Sequence, residues 1–461
     1  MSTTAGKLGS APLTLDWSGL LHGPGKTAAE GFDPAQAWSK LHARFDSGEV
    51  GFYNAPIDLK ISQLEACQTL TSQIRGTLHP TDVLFLGIGG SSLGPISLMA
   101  ALAHRKNPEP RFHFLENPDP IEWRTTLALL RPEKTLVCIV TKSGTTFETM
   151  AQAMLALEWL GKERWSNQVV AVTDPVRGDL RAFAIQHKIR TLDIDPSIGG
   201  RFSVFSPVGL FPALLAGLDP VSFLQGAKQV RDYCERTAIE KNALFTIGID
   251  LLRHAKKRPV HVCMPYSTPL RSMSSWFVQL WGESLGKDGK GFTPLAALGT
   301  TDQHSILQLM RDGPDDKVTF FLTIDQVEDE VKLPRTLAGA GLSQFPAFDL
   351  LSRTSLHDLL RIEYQAISLV LSRRDRPHFS WKLDILDERN LGALYFALST
   401  LTAFVGTAWG VNPFDQPGVE EGKIYIKDSL QRGSELMDAE TRRNEDEENS
   451  AYARLRGRRE E

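Results

Sequence analysis

The stretch VLFLGIGGSSLGPISLMAALAH, residues 83–104, decides the fold. It opens as a short apolar run, turns through three glycines and two serines, and continues with helical spacing. A continuous apolar strand feeding a helix is what a parallel sheet covered on both faces requires, because neither face of such a strand meets water. The unit recurs downstream. RFHFL (111–115) leads through a Pro-Asp-Pro turn to IEWRTTLALL, TLVCIVT (135–141) to TFETMAQAMLALEWL, and QVVAVT (168–173) through an Asp-Pro turn to DLRAFAIQH. Apolar residues at three- and four-residue spacing, as in MAQAMLALEWL, predict helices between the strands.

A second cycle begins near Val221. Two helical stretches precede PVHVCMPYS (259–267), and a helix around SSWFVQLWGESLG follows it. VTFFLTI (318–324), LHDLLRIEYQAISLVLS (356–372), HFSWKLDI and the long apolar run LGALYFALSTLTAFVGTAWG continue the pattern. The expectation is an α/β protein of two doubly wound parallel-sheet domains, 59–222 and 223–430, with helices on both faces. Residues 1–58, rich in Gly, Pro and Ser and of little periodicity, form an extension expected to pack on the second domain. Residues 431–461 carry dense charge of both signs and read as a solvated tail.

A chain of 461 residues exceeds the usual size of one core, and 42% hydrophobic with 23% charged residues is ordinary globular composition. A formal net charge of −4 gives no electrostatic case for a nucleic-acid partner, so an anionic substrate must be handled locally. Cys67, Cys138, Cys234 and Cys263 lie far apart, which suggests neither a disulfide framework nor a metal site. The start MSTTAGKLGSAPLTLDW lacks the features of a signal peptide, and no uninterrupted apolar segment reads as long enough to cross a bilayer. The expectation is a cytoplasmic protein with no membrane partner.

Two loops are built for an anion. GIGGSSLGP (87–95) joins a strand to a helix, and its glycines, Gly90 among them, let backbone amides approach a ligand while Ser91 and Ser92 add hydroxyls. A tight turn is the plain alternative, and the loop half-matches a dinucleotide fingerprint in which Ser92 replaces the third glycine. TKSGTTFET (141–149) offers Thr141, Ser143, Thr145 and Thr146 with the charge of Lys142. One hydroxyl satisfies a helix cap; four exceed that need. Phosphate held by hydroxyls and amides, without a Walker-type loop, suggests a phosphosugar.

Moving a proton between adjacent sugar carbons needs a base, a cation beside the developing enediolate, and an acid to open the ring. FVQLWGESLGK (277–287) places Glu283 four residues after Gln279, on one helix face. LGTTDQHSILQLM (298–310) puts His304 in the first turn of a helix. SIGGRFSVFSPVG (197–209) sets Arg201 behind two glycines, of which Gly200 is the nearer, and NPFDQPGVEEGKIYIK (412–427) carries Gln416 and Lys423. Taken singly, each is equally an ordinary surface or capping residue.

Together, GIGGSSLGP, TKSGTTFET, GGRFS, GES-GK, GTTDQH and FDQPGVEEGK, in this order from 87 to 423, resemble the glucose-6-phosphate isomerase family and its sugar-isomerase (SIS) fold. Pro417 inside the last motif and Pro196 before SIGGR depart from the commonest pattern without removing a functional side chain. The resemblance implies Glu283 as the proton-shuttling base, Arg201 as the stabilising cation, His304 as the ring-opening acid and Lys423 as its assistant. It implies a phosphate cradle of Ser91, Thr141, Lys142, Ser143 and Thr146, substrate contacts from Gln279 and Gln416, and Glu148 orienting the histidine. It further implies no cofactor or metal, and a homodimer in which the histidine reaches the neighbouring subunit. A non-catalytic phosphosugar sensor would need only the loops; a nicotinamide-dependent oxidoreductase would need the missing glycine. An isomerase that also accepts mannose 6-phosphate stays open.

Overall fold

The computed structural model describes residues 5–20, 31–102, 110–336, 341 and 344–433. The chain forms two compact units, Met1–Phe414 and Asp415–Glu461. In the first unit, eleven strands among the described residues form two sheets. They are β1 (Ala5–Lys7), β2 (Leu13–Asp16), β3 (Asp82–Leu86), β4 (Arg111–Leu115), β5 (Thr135–Val140) and β6 (Val169–Thr173). The remainder are β7 (Arg190–Asp193), β8 (Val260–Pro265), β9 (Thr293–Ala296), β10 (Lys317–Ile324) and β11 (His378–Leu383).

One sheet is all parallel, in the order β4-β3-β5-β6-β7; the other runs β1-β2-β11-β10-β8-β9. Its four strands β9, β8, β10 and β11 are mutually parallel, and β2 joins β11 antiparallel. The two sheets repeat one winding. In each, the second strand lies on one side of the first, and the chain crosses back to place the third and fourth on the other. The strands expected from the sequence are all present. Those it passed over, β1, β2, β7 and β9, are three or four residues long, too short for a period to declare itself. β9 also contains Pro294, which an edge strand tolerates. Nor are the first 55 residues without pattern. Asp33 accepts from the amides of Ala35 and Gln36 and caps the helix Pro34–Asp46.

Alternation along the strands divides the apolar residues among three clusters. Leu84, Leu86, Val137, Ile139 and Ala171 pack against Ala153, Ala156 and Leu157 of the helix Phe147–Leu160. Val262, Met264 and Phe321 pack against Ile367 and Leu371 of the helix Leu356–Ser372. The other faces, with Val83, Phe85, Val140 and Val172 from one sheet and Phe320, Phe379 and Trp381 from the other, share a single core. Through that core runs the helix Glu388–Trp409, in which every residue from Asn390 to Gly406 is buried. By length and composition this helix is apolar enough to cross a membrane, with mean hydropathy 1.5, which corrects the reading that no such segment exists. The apolar surround is the protein itself, since 89% of the apolar window is buried inside it.

This helix contains glycines that cost roughly 1 kcal/mol each relative to alanine. Burying each large side chain contributes about 1.5–3 kcal/mol, so packing decides. The glycines serve the packing. A Cβ on Gly392 would lie 1.8 Å from the carbonyl oxygen of Phe223, and one on Gly226 would lie 1.8 Å from that of Arg389. The helix Pro220–Arg236 thus meets Glu388–Trp409 backbone to backbone. Gly392→Ala should lower unfolding stability by about 1–3 kcal/mol despite the better helix propensity of alanine. Urea denaturation measures it; an unchanged or raised midpoint would contradict this crossing.

Candidate functional site

β3 and β5 are adjacent and parallel, but the chain leaves them in opposite directions, toward β4 and toward β6. Such a switch point opens a crevice at the carboxyl ends of the strands, where open α/β sheets bind ligands. The two glycine-hydroxyl loops follow these strands. In the first, Gly89 adopts a left-handed φ of 58° and a short 3-10 turn spans Gly89–Ser91. The hydroxyl of Ser91 has no partner among the described residues. Ser92, expected as a further donor, is fully buried, and its hydroxyl bonds Gly89 O at 3.2 Å and the Glu116 carboxylate.

In the second loop, the Thr141 and Thr146 hydroxyls lie 2.8 Å apart, with Ser143 Oγ 3.3 Å from Thr146 and 3.4 Å from Thr141. Thr146 occupies the N-cap position of the helix Phe147–Leu160, yet its side chain makes no capping bond. The capping explanation therefore fails for Thr146, while Ser143 Oγ accepts from the Thr145 amide at 3.3 Å, one residue before the cap. Three convergent hydroxyls at the start of a fourteen-residue helix, where free amides favour negative charge, make this loop a candidate anion cradle. Lys142 faces elsewhere. Its ammonium donates to the carbonyls of Pro196 (2.7 Å) and Ile198 (2.8 Å), and burial lowers its pKa against the opposing pull of Asp174 and Asp195.

The segment receiving Lys142 continues into Gly199, Gly200 and Arg201. A Cβ on Gly90 would lie 2.3 Å from the carbonyl carbon of Gly200, so the first loop and this segment touch through backbone. Ser203 Oγ donates to Gly90 O at 2.6 Å and fixes the contact. Arg201 is 2% exposed. Its Nε donates to Ser284 Oγ (2.7 Å), Nη1 to Glu283 Oε2 (3.2 Å) and Nη2 to Pro413 O (2.6 Å). Glu283 and Ser284 belong to the helix Arg271–Leu285, where Gln279 Nε2 donates to Glu283 Oε1 at 3.1 Å. A Cβ on Gly89 would lie 3.0 Å from Gln279 Nε2, so this helix also reaches the first loop. Glu283, one third exposed, is the open end of the arrangement. The assembly can hold an anion, offer a carboxylate to a proton, and set a fixed cation beside it.

His304 lies exposed in the first turn of the helix Gln303–Asp312, without a hydrogen-bond partner for its ring among the described residues. The turn itself is well built. Asp302 accepts from the Leu298 amide (2.7 Å) and the Ser305 hydroxyl (2.9 Å), and Gln303 joins Tyr266 (2.7 Å) to Glu363 (3.0 Å). Glu148, half-buried in the first turn of its helix, makes no bond to His304. Gln416 and Lys423 belong to the second unit, where Lys423 pairs with Glu420 at 2.8 Å on an exposed helix spanning 420–433. The rest of the expected tail, 434–461, lies outside the described residues.

Sequence reasoning missed Ser284, Ser203 and the Pro413 carbonyl. Ser284 carried a signal, because it falls on the stripe of Phe277, Leu280 and Trp281 that the helix buries. All four cysteines are buried and unpaired, and burial pushes the thiols of Cys67, Cys234 and Cys263 up to about 12. Among the described residues, no group of three or more His, Cys, Asp or Glu is arranged to hold a metal ion.

The family model described as phosphoglucose isomerase matches residues 67–447. A Rubrobacter xylanophilus protein named glucose-6-phosphate isomerase is 41% identical over 374 residues, covering 78% of this chain and 84% of that one. One of the same name from Carboxydothermus hydrogenoformans is 34% identical over 403 residues, covering 83% and 85%. Among solved structures, a glucose-6-phosphate isomerase of Chlamydia trachomatis superposes with a TM-score of 0.79 at 21% identity, over 94% of this chain and 90% of that one, and so shares the fold.

The cradle geometry predicts the behaviour of the paired variant Ser143→Ala, Thr146→Ala. Inorganic phosphate should bind about thirtyfold more weakly by calorimetry, on the order of two hydrogen bonds to an anion, each near 1 kcal/mol. Because neither hydroxyl caps the helix, the unfolding midpoint should barely move. Unaltered phosphate affinity would remove the cradle from this loop.

Proposed function

The chain belongs to the phosphoglucose isomerase family, and from that membership we propose that it interconverts D-glucose 6-phosphate and D-fructose 6-phosphate, in glycolysis and gluconeogenesis. The observation that carries this reading is Glu283 held 3.2 Å from the buried Arg201, next to a crevice lined by hydroxyls and glycine backbone. The phosphate is bound by Ser91, Thr141, Ser143 and Thr146 with the amides around Gly90 and Gly200, anchoring the end of the sugar that does not react. Glu283 takes the proton from C2 and returns it to C1 while the hydroxyl proton passes from O2 to O1, so the carboxylate is restored within one turnover. Between the two transfers the electron pair resides in a cis-enediol, and the negative charge developing on its oxygen is balanced by Arg201.

Ring opening needs an acid. His304 is assigned this role, with Lys423 assisting at the ring oxygen or hydroxyls and Gln416 and Gln279 contacting the sugar. The exposed, unpartnered imidazole supports a histidine that acts outside the contacts of its own chain. On this reading the enzyme is a homodimer and isolated monomers are inactive; Glu148 of one subunit then orients the ring of the other. The protein is assigned to the cytoplasm, with a small sugar phosphate and a second copy of the chain as its partners. Arg201 supplies the positive charge, so the proposed route runs without a cofactor.

A coupled assay from fructose 6-phosphate, with glucose-6-phosphate dehydrogenase reporting product, tests the reading in the presence of EDTA. Wild-type turnover should be unaffected by the chelator. Glu283→Gln should reduce kcat by about 10³-fold, within the span attributed to general acid–base catalysis, while fructose 6-phosphate still binds. Near-normal turnover in that variant would sink the assignment of the base. A silent wild type that still binds fructose 6-phosphate would make the protein a phosphosugar sensor.

A further inference from the structure

Lys142 stands in the phosphate loop, and its charge invites the role of phosphate ligand. Its ammonium is instead committed to the carbonyls of Pro196 and Ile198, at 2.7 and 2.8 Å. The receiving turn is tightly built. Asp195 Oδ1 accepts from the Ser197 amide at 2.8 Å and from its hydroxyl, and the Ile198 amide donates to Asp195 O at 3.0 Å. From the other side, the Gly51 amide donates to Ser197 O at 3.1 Å. Three successive carbonyls, Pro196 to Ile198, are thus all bonded, two of them by Lys142. Three residues further on is Arg201.

The two phosphate loops therefore reach the Arg201 segment by different means. The first touches it through the backbone approach of Gly90 to Gly200 and the Ser203 bond. The second spans to it through the lysine side chain alone among the bonds described above. We propose that Lys142 is a positioning residue, a strut that ties the hydroxyl cradle to the segment bearing Arg201, so that phosphate seated in the cradle sets the guanidinium beside Glu283. The proposal rests on the isomerase reading and deepens it. Binding energy from a non-reacting phosphate raises kcat only if it is transmitted to the reacting centre. The strut is a physical path for that transmission.

The test separates catalysis from phosphate binding. Lys142→Met keeps the length of the stem and removes all three donors; Lys142→Arg keeps the charge and can still serve two carbonyls. For wild type and both variants, kcat and KM for fructose 6-phosphate are measured with the Ki of inorganic phosphate as competitive inhibitor. Lys142→Met should lower kcat about 100-fold, the scale of a roughly 1 Å misplacement, with the phosphate Ki within about threefold of wild type. Lys142→Arg should recover at least about tenfold of that loss, which a passive brace unrelated to charge would not produce. A phosphate Ki raised about tenfold with kcat nearly intact would make Lys142 a direct ligand and overturn the proposal. Unchanged kcat and Ki would overturn it too. Should the methionine variant fail to fold, Lys142→Gln, which retains one donor group, carries the same comparison. A wild type that binds phosphate but does not isomerise would overturn the isomerase reading and this proposal together; contrary variant constants in an active enzyme overturn the proposal alone.

Discussion

A guanidinium buried to 2% exposure must have its N–H groups met by acceptors, because an unpaired charge in that environment costs several kcal/mol. Arg201 meets the requirement by drawing on distant parts of the chain. Ser284 and Glu283 come from the helix that packs beneath the second sheet, and the Pro413 carbonyl lies just past the end of the long central helix. The site's layout follows from this demand. Glu283 is one third exposed, yet its carboxylate is held on one side by Arg201 and on the other by Gln279, so swinging into solvent would break both bonds.

The duplicated winding of the two sheets raises the question of why only one crevice is a candidate site. The topologically equivalent crevice lies between β8 and β10, lined by Tyr266, Thr323, Asp325, His357 and Tyr364. Its polar groups are largely committed: Tyr266 bonds Gln303, Tyr364 bonds Ser380, and Lys382, also on the rim, bonds Asp16 of β2. Among the described residues that directly follow β8 and β10, 266–270 and 325–336, there is no glycine to admit backbone amides. In the first sheet, β5 passes at once through Gly144 into a helix, presenting hydroxyls and amides together. In the second, the strand equivalent to β5 is β10, and some thirty residues separate it from the helix Leu356–Ser372, while β8 leads through a short connection into the helix Arg271–Leu285. The same topology thus offers a candidate anion site where β5 runs straight into a helix, and a crevice of bonded side chains where β10 does not.

How much of this was legible follows from what each feature depends on. Strands such as Arg111–Leu115 and Thr135–Val140, and the helix Phe147–Leu160, are written in apolar periodicity and were read nearly to the residue. β2 was not, since LTLD alternates for only four residues, and its partner β11 lies more than three hundred residues away. Glu283, Arg201 and the loop hydroxyls were legible as side-chain types in ordered motifs. The direction in which Lys142 points was not, because its acceptors are main-chain carbonyls, which every residue owns and no letter of the sequence marks. Ser92 misled for the same reason in reverse: a hydroxyl in a phosphate-like loop looks available until the Glu116 carboxylate is found on it.

That distinction between side-chain chemistry and main-chain geometry also separates binding from catalysis here. Three of the hydroxyls proposed to hold the anion, those of Thr141, Ser143 and Thr146, lie on one short loop that turns at Gly144 with φ 68°. The charged pair at the chemical end depends on tertiary contacts made from residue 90 to residue 413. Local structure forms whenever the first sheet forms, whereas the Arg201 arrangement exists only when both sheets close on their common core. The hydroxyl cluster should therefore survive perturbations that loosen the packing of the two sheets, while the alignment of Arg201 with Glu283 should be the first property lost. The segment from Lys142 to Arg201 is where these two dependencies meet, and its bonded carbonyls are what make them act as one site.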